Sequence, residues 1–262
     1  METPSNFPLF ALMVIAGLIG STLLSLEIGR RIGLYRTKTD PDGKNEGLGA
    51  VDGAIFGLMG LLLAFTFSGA AERYEARRHL MVEETNNIGT AYLRVDLLPA
   101  DLQPKVRELF RKYADTRIAF FRNVSTAQLR EDAAARTAAL QGEIWAASVE
   151  GVKTLHDAAT TSLVLSSLNS MIDITTNQDV ALSTHPPAVV YGLLLAMLLA
   201  SSLLAGFGMA KGTRRNWLHI LSFAVIMATV LYIILDFEFP RVGFIEVESV
   251  DKILVDLRAS MK

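Results

Sequence analysis

GLGAVDGAIFGLMGLLLAFTFSGAAERYEARRHLMVEETNN, from Gly47 to Asn87, decides how the rest of the chain is read. Its first half is apolar from about Gly53 to Ala71. Roughly 19 residues, at about 1.5 Å per residue, cross a hydrocarbon core of about 30 Å as a helix. The second half turns charged through Glu72, Arg73, Glu75, Arg77, Arg78, Glu83 and Glu84, with neither Gly nor Pro among them. Nothing there stops a helix, so the pattern predicts one continuous helix that spans a bilayer and projects beyond it into water. Gly53, Gly57, Gly60, Ala64, Ser68 and Ala71 recur at i, i+3/i+4 and share a face. Such faces let helix backbones approach closely in lipid. Phe56, Leu58, Leu62, Phe65 and Phe67 take the other faces. Two readings stand side by side: ordinary packing between transmembrane helices, or a helix that lines an oligomeric pore.

Three more apolar runs flank this one, within 262 residues whose hydrophobic content is 51% and mean hydropathy +0.34. The first runs from Phe7 to about Leu26 and is closed by Glu27, Arg30 and Arg31. The third runs from Ala188 to Ala210, after the break His185-Pro186-Pro187. The fourth follows the basic loop of Lys211, Arg214 and Arg215 and the interfacial Trp217. The expected organisation is therefore residues 1–71 as the first two spans (about 7–28 and 53–71), 72–186 as a water-facing helical domain, 187–238 as the last two spans, and 239–262 as an acidic tail. METPSNFP carries no base, so no secretory signal peptide is read there. Asp40-Pro41-Asp42-Gly43 is a turn. In the middle region Pro99 is expected to end the long helix and Asp101 to cap the next. Ser125 and Gln128 have capping-box spacing. Gly142 and Gly151 are expected weak points of an alanine-rich helix, and a further helix is expected from about Leu155 to Ser183. The fold class is all-α: four transmembrane helices and a helical bundle.

The charge and motif content excludes several functions. A net charge of −2 makes no case for nucleic-acid binding. No cysteine occurs, which removes disulfides, thiolate metal sites and thiol nucleophiles. His79, His156, His185 and His219 are widely separated, and no phosphate-cradling or nucleophile motif is present. No enzyme and no resident cofactor are expected. Glu72, Arg73, Glu75, Arg77 and Arg78 read as an ion-pair ladder or as a charge ring at a pore mouth. Thr85, Asn86, Asn87, Asn169, Thr175, Thr176, Asn177 and Gln178 read as helix–helix hydrogen-bonding groups before they read as an ion path.

Phe67 to Met81, FSGAAERYEARRHLM, resembles the end of the second transmembrane segment of bacterial bestrophins, where an apolar pore helix runs into an ERWWEAR-type segment; RYEAR lacks one aromatic of it. Leu61 to Pro99 is similar nearly throughout to LLLAFTFSxAxxRxxxRRxxxxEExNxIGTAYLRxDLLP, the pattern of a bacterial bestrophin-like family of undefined function. The resemblance implies a homo-oligomeric ion channel of the bacterial inner membrane, a pentamer around the second span. It implies a neck of bulky apolar residues on that helix, for which Leu58, Leu62 and Phe65 are the candidates. Ser68, Glu72, Glu75, Arg73 and Arg77 are the pore-mouth candidates; acids there favour cations and arginines favour anions. The tail resembles the bestrophin segment after the last span, which in calcium-gated animal relatives joins a calcium clasp. Asp236, Glu238 and Glu246 are accordingly weak calcium candidates, and ion pairs, for example with Arg241, are the plainer expectation. Basic residues in the first and third loops place the helical domain in the periplasm, whereas the resemblance places it in the cytoplasm. The rival function is a non-conducting membrane scaffold or signalling module whose helical domain binds a partner.

Overall fold

The computed structural model describes residues 7–39, 48–122, 127–211, 215–239 and 248–262. These form helices α1 (Phe7–Thr39), α2 (Leu48–Leu93), α3 (Gln103–Arg122), α4 (Ala127–Leu155), α5 (Ala158–Ser183), α6 (Ala188–Gly208), α7 (Trp217–Glu238) and α8 (Glu248–Ser260), with no strand among the described residues. Among the described residues, four candidate spans are long and apolar enough to cross a membrane. The molecule is an all-α membrane protein. Its described residues divide into two compact units, one within 7–73 and 185–239, the other within 74–184 and 248–262.

The first unit holds α1, the apolar part of α2, α6 and α7. Its apolar centre is Met59, Leu194, Leu198 and Leu231, with Leu18, Leu62, Leu63, Met197 and Met227 packed around them. α1 continues as a helix through Arg30 and Arg31 to Thr39, past the expected end of the apolar run. The reason is local: Glu27 accepts from Arg30 Nε at 3.0 Å and from Arg31 Nε at 2.9 Å, at i, i+3 and i, i+4. α1 meets α6 backbone to backbone. A Cβ on Gly29 would collide with the Leu203 carbonyl, and one on Gly206 with the Leu26 carbonyl; one on Gly33 would lie 2.8 Å from the Phe207 carbonyl oxygen. Ser25 Oγ donates to the Leu199 carbonyl at 2.7 Å along the same seam.

The second unit is a helical bundle. Its core joins Ile88 and Tyr92 of α2, Val106, Phe110 and Tyr113 of α3, Ile144 of α4, Leu168 and Met171 of α5, and Leu254 of α8. Several boundaries differ from expectation. α2 ends at Leu93, ahead of Pro99, because Arg94–Leu97 tighten into a 3₁₀ turn and Leu98 is extended, as a residue before proline prefers. The Gln103 amide then bonds to the Pro99 carbonyl at 3.3 Å, and the Gln103 side chain donates to the Leu98 carbonyl at 2.9 Å, so these groups start α3. Ser125 lies outside the described residues, and Gln128 donates to Asp132 at 3.1 Å. α4 runs unbroken through Gly142 and Gly151. A Cβ on Gly151 would press on Leu98, Leu102 and Pro99 at 3.1–3.3 Å, so this glycine admits the preceding turn. α4 stops at Leu155; His156 is left-handed at φ 52°, and Asp157 caps α5 by accepting from the Ala159 and Thr160 amides, each at 3.1 Å.

Candidate functional site

The surface of α2 holds the sequence-derived candidates. At about 100° per residue, Met59, Ala70 and Arg77 point one way and are buried. Gly57 lies about 160° round the helix from Met59, and Gly53 and Gly60 about 120° and 100° on the same side; a Cβ on any of them would have nothing within 4 Å. Ala64 and Ser68 continue that open face. Leu58 and Phe65 are 49% and 69% exposed, whereas Leu62 is half-buried against the Met59, Leu194, Leu198 and Leu231 cluster. The structure thus brings two of the three neck candidates to the open side of α2 and leaves the third at the edge of the chain's own packing.

The charged continuation of α2 sorts by partner. Ser68 Oγ donates to Glu72 Oε1 at 3.4 Å, and both are exposed. Glu75 pairs with Arg78 at 2.8 Å and lies 3.8 Å from His79 Nε2, ladder contacts at i, i+3 and i, i+4. The two arginines are tethers. Arg73 Nε donates to Glu238 Oε1 at 2.8 Å within the first unit. Arg77 is buried and donates to the Ala181 and Thr184 carbonyls, each at 3.0 Å, at the end of α5 in the second unit. A cation on the last carbonyls of a helix meets its negative dipole end.

Two of the acidic candidates are buried. Glu238 has no exposed side-chain surface; besides Arg73 it has His185 Nδ1 at 3.5 Å from Oε2, and the His185 ring stacks on Phe239 at 4.7 Å. Asp236 and Glu238 are two positions apart on α7 and so leave the helix on different sides. Glu246 and Arg241 lie outside the described residues.

One grouping was not read from the sequence, although Gln178 was expected to serve helix–helix hydrogen bonding. Glu84, Arg117 and Gln178, from α2, α3 and α5, are buried together in the second unit. Arg117 donates through Nε to Glu84 and through Nη2 to the Gln178 carbonyl oxygen. Gln178 Nε2 returns a bond to Glu84 Oε2 at 2.7 Å. The Phe120 and Phe121 rings lie 4.7 and 5.0 Å from the guanidinium carbon. Burial works against the Arg117 charge, but the Glu84 carboxylate outweighs it and raises the guanidinium pKa. Burial, and then the Glu84 charge, also push the Tyr113 phenol well above its ordinary value. Gln141 reaches Tyr113 and Thr175, each at 3.3 Å, so α4 joins as well. Thr175 and Gln178 therefore serve helix–helix hydrogen bonding, as does Asn87, which donates to the Ser170 carbonyl at 3.3 Å. The only advance signal was the polar composition of two helices.

A family model described as Bestrophin-like domain matches residues 31–251. No curated protein and no solved structure matches the chain.

Proposed function

The chain belongs to the Bestrophin-like domain family, and we propose that it forms an oligomeric ion channel of the bacterial inner membrane whose pore is lined by α2. The observation that carries this reading is how little of α2 its own chain covers. Of its apolar window 11% is buried, against 22% in each of the other three candidate spans. A helix left this bare needs lipid, water or another copy on its open side. Its glycine stripe offers lipid little apolar surface but admits another helix closely. In the proposed assembly, a ring of five by family resemblance, Gly53, Gly57, Gly60 and Ala64 seat the neighbouring copy. Leu58 and Phe65 narrow the path, with Leu62 supporting them from the chain's own core. Apolar rings of this kind gate by dewetting. Further along α2, Ser68, Glu72 and Glu75 are exposed while Arg73 and Arg77 are held inside the protomer. Carboxylates rather than guanidiniums would then line the mouth, which favours cations.

The test is reconstitution in planar bilayers of the wild type, Leu58→Ala, Phe65→Ala and Leu62→Ala, with mass photometry of the same preparations. Leu58→Ala and Phe65→Ala should raise conductance or open probability, Leu62→Ala less so, and Glu72→Gln should reduce cation preference. Assembled protein that stays silent in all preparations would overturn the channel reading and leave the scaffold, with a partner sought on the 72–186 region.

A further inference from the structure

The polar end of α1, the end of α6 and the start of α7 enclose a cleft of about 340 Å³ inside the first unit. Its floor is apolar, with Leu23, Leu26 and Ile220. Its mouth is cationic. Glu27 accepts from Arg30 and Arg31 of α1 and, at 3.1 and 3.2 Å, from Arg215 ahead of α7. Among the described lining residues there are three guanidiniums and one carboxylate, a net of two positive charges (3 − 1). Arg31 is the most open of the three, with 77% of its side chain exposed. Arg215 also lies 5.5 Å from the Trp217 ring, which is half-exposed at the start of the α7 span.

These features select a ligand that is anionic at one end and apolar at the other. Guanidiniums match phosphate oxygens bidentately. Like charges held together at a membrane surface, where the dielectric is lower than in water, gain from a shared anion. Tryptophan beside them is the usual marker of the level where headgroup meets hydrocarbon, and basic clusters at that level attract anionic lipids. A soluble anion would satisfy the mouth but gain nothing from the floor. We propose that this cleft is a binding site for an anionic phospholipid, its phosphate among Arg30, Arg31 and Arg215 and the start of its acyl chains along Leu23, Leu26 and Ile220. The site is independent of conduction: a silent protein could still hold it.

The experiment uses the full-length protein in detergent, titrated with phosphatidylglycerol, with phosphatidylcholine of the same acyl chains, or with sodium phosphate. Bound lipid is counted by native mass spectrometry and Tm is followed in parallel. Phosphatidylglycerol should bind at least fivefold tighter than phosphatidylcholine and raise Tm. Arg31→Gln should weaken it about fivefold, and Arg31→Gln with Arg215→Gln tenfold or more, with phosphatidylcholine binding unchanged. The open position of Arg31 keeps the single variant folded, so it decides the matter if the double variant does not fold. Equal binding of the two lipids, equal phosphatidylglycerol binding by wild type and Arg31→Gln, or protection by sodium phosphate as great as by phosphatidylglycerol would each overturn the lipid site.

Discussion

Two glycine-bearing helix faces of the first unit have the same chemistry and opposite fates. On α1 and α6, Gly29, Gly33 and Gly206 are spent on a backbone seam so close that an added Cβ meets a carbonyl oxygen or a neighbouring Cβ. On α2, Gly53, Gly57 and Gly60 meet nothing. The first face is complete within one chain. The second has no described part of the chain within 4 Å of an added Cβ. The lesson is that a small residue stabilises a membrane helix only through the partner it lets approach, and such a partner is at hand for the α1–α6 seam.

The sharpest way to break the comparison is substitution at the seam. Gly206→Leu cannot be absorbed by a flexible side chain, because the obstacle is the Leu26 backbone. Loss of the folded protomer, or destabilisation of more than about 4 kcal/mol, is expected. Gly57→Leu should leave protomer Tm nearly unchanged. Unfolding in detergent compares the two; a Gly206→Leu protein as stable as wild type would dissolve the distinction.

A second, smaller effect belongs to the bundle. Arg117→Met leaves Glu84 buried without its guanidinium and should cost about 3–5 kcal/mol. Adding Glu84→Gln should recover part of this, because it is the uncompensated charge rather than the lost pair that destabilises. Thermal melts of the two variants check the sign; no recovery in the double variant would mean that packing of Arg117 on Phe120 and Phe121 dominates.

The open face is tested by assembly. Gly57→Leu and Gly60→Leu should weaken association about tenfold, roughly 1.4 kcal/mol, and shift mass photometry toward smaller species without altering helix content. An unchanged distribution would show that the α2 stripe is not where copies meet.

The smallest effect is expected at the α4–α5 joint. Asp157→Ala removes the cap of α5 and should lower Tm slightly. The hydrogen bond from the Thr160 side chain, then those from the Thr160 and Ala159 amides, hold the Asp157 carboxyl below its usual pKa. A lowered folded-state pKa means that this stability is present above the unfolded value, about 3.9, and is lost as pH falls through the folded value. The Tm difference between wild type and variant should therefore hold at neutral pH and close below about pH 4.

Much of the fold was legible. The apolar run from Gly53 to Ala71, continued by charged residues without a breaker, specifies an unbroken helix wherever it packs. The Arg73 to Arg78 segment was readable as charged helix, and its Glu75–Arg78 contact is a local i, i+3 pair. Its long-range partners were not readable: Glu238 lies 165 positions from Arg73, and the Thr184 carbonyl 107 from Arg77. Gln178 was readable as a helix–helix hydrogen-bonding group, but its joining with Glu84 and Arg117 was not, because the three lie on different helices and are buried only when those helices close around them.

The sequence by itself determined the helical class and the apolar runs, because helix length, hydropathy and breakers are properties of neighbours in the chain. Only the tertiary structure decided which small residues pack. Gly17, Gly20 and Gly192 stand open while Gly29, Gly33 and Gly206 close the α1–α6 seam. All of these glycines look alike in one dimension. What separates them is whether the backbone of a helix remote in sequence arrives at that spot, and that depends on how whole helices fit against one another rather than on any local preference.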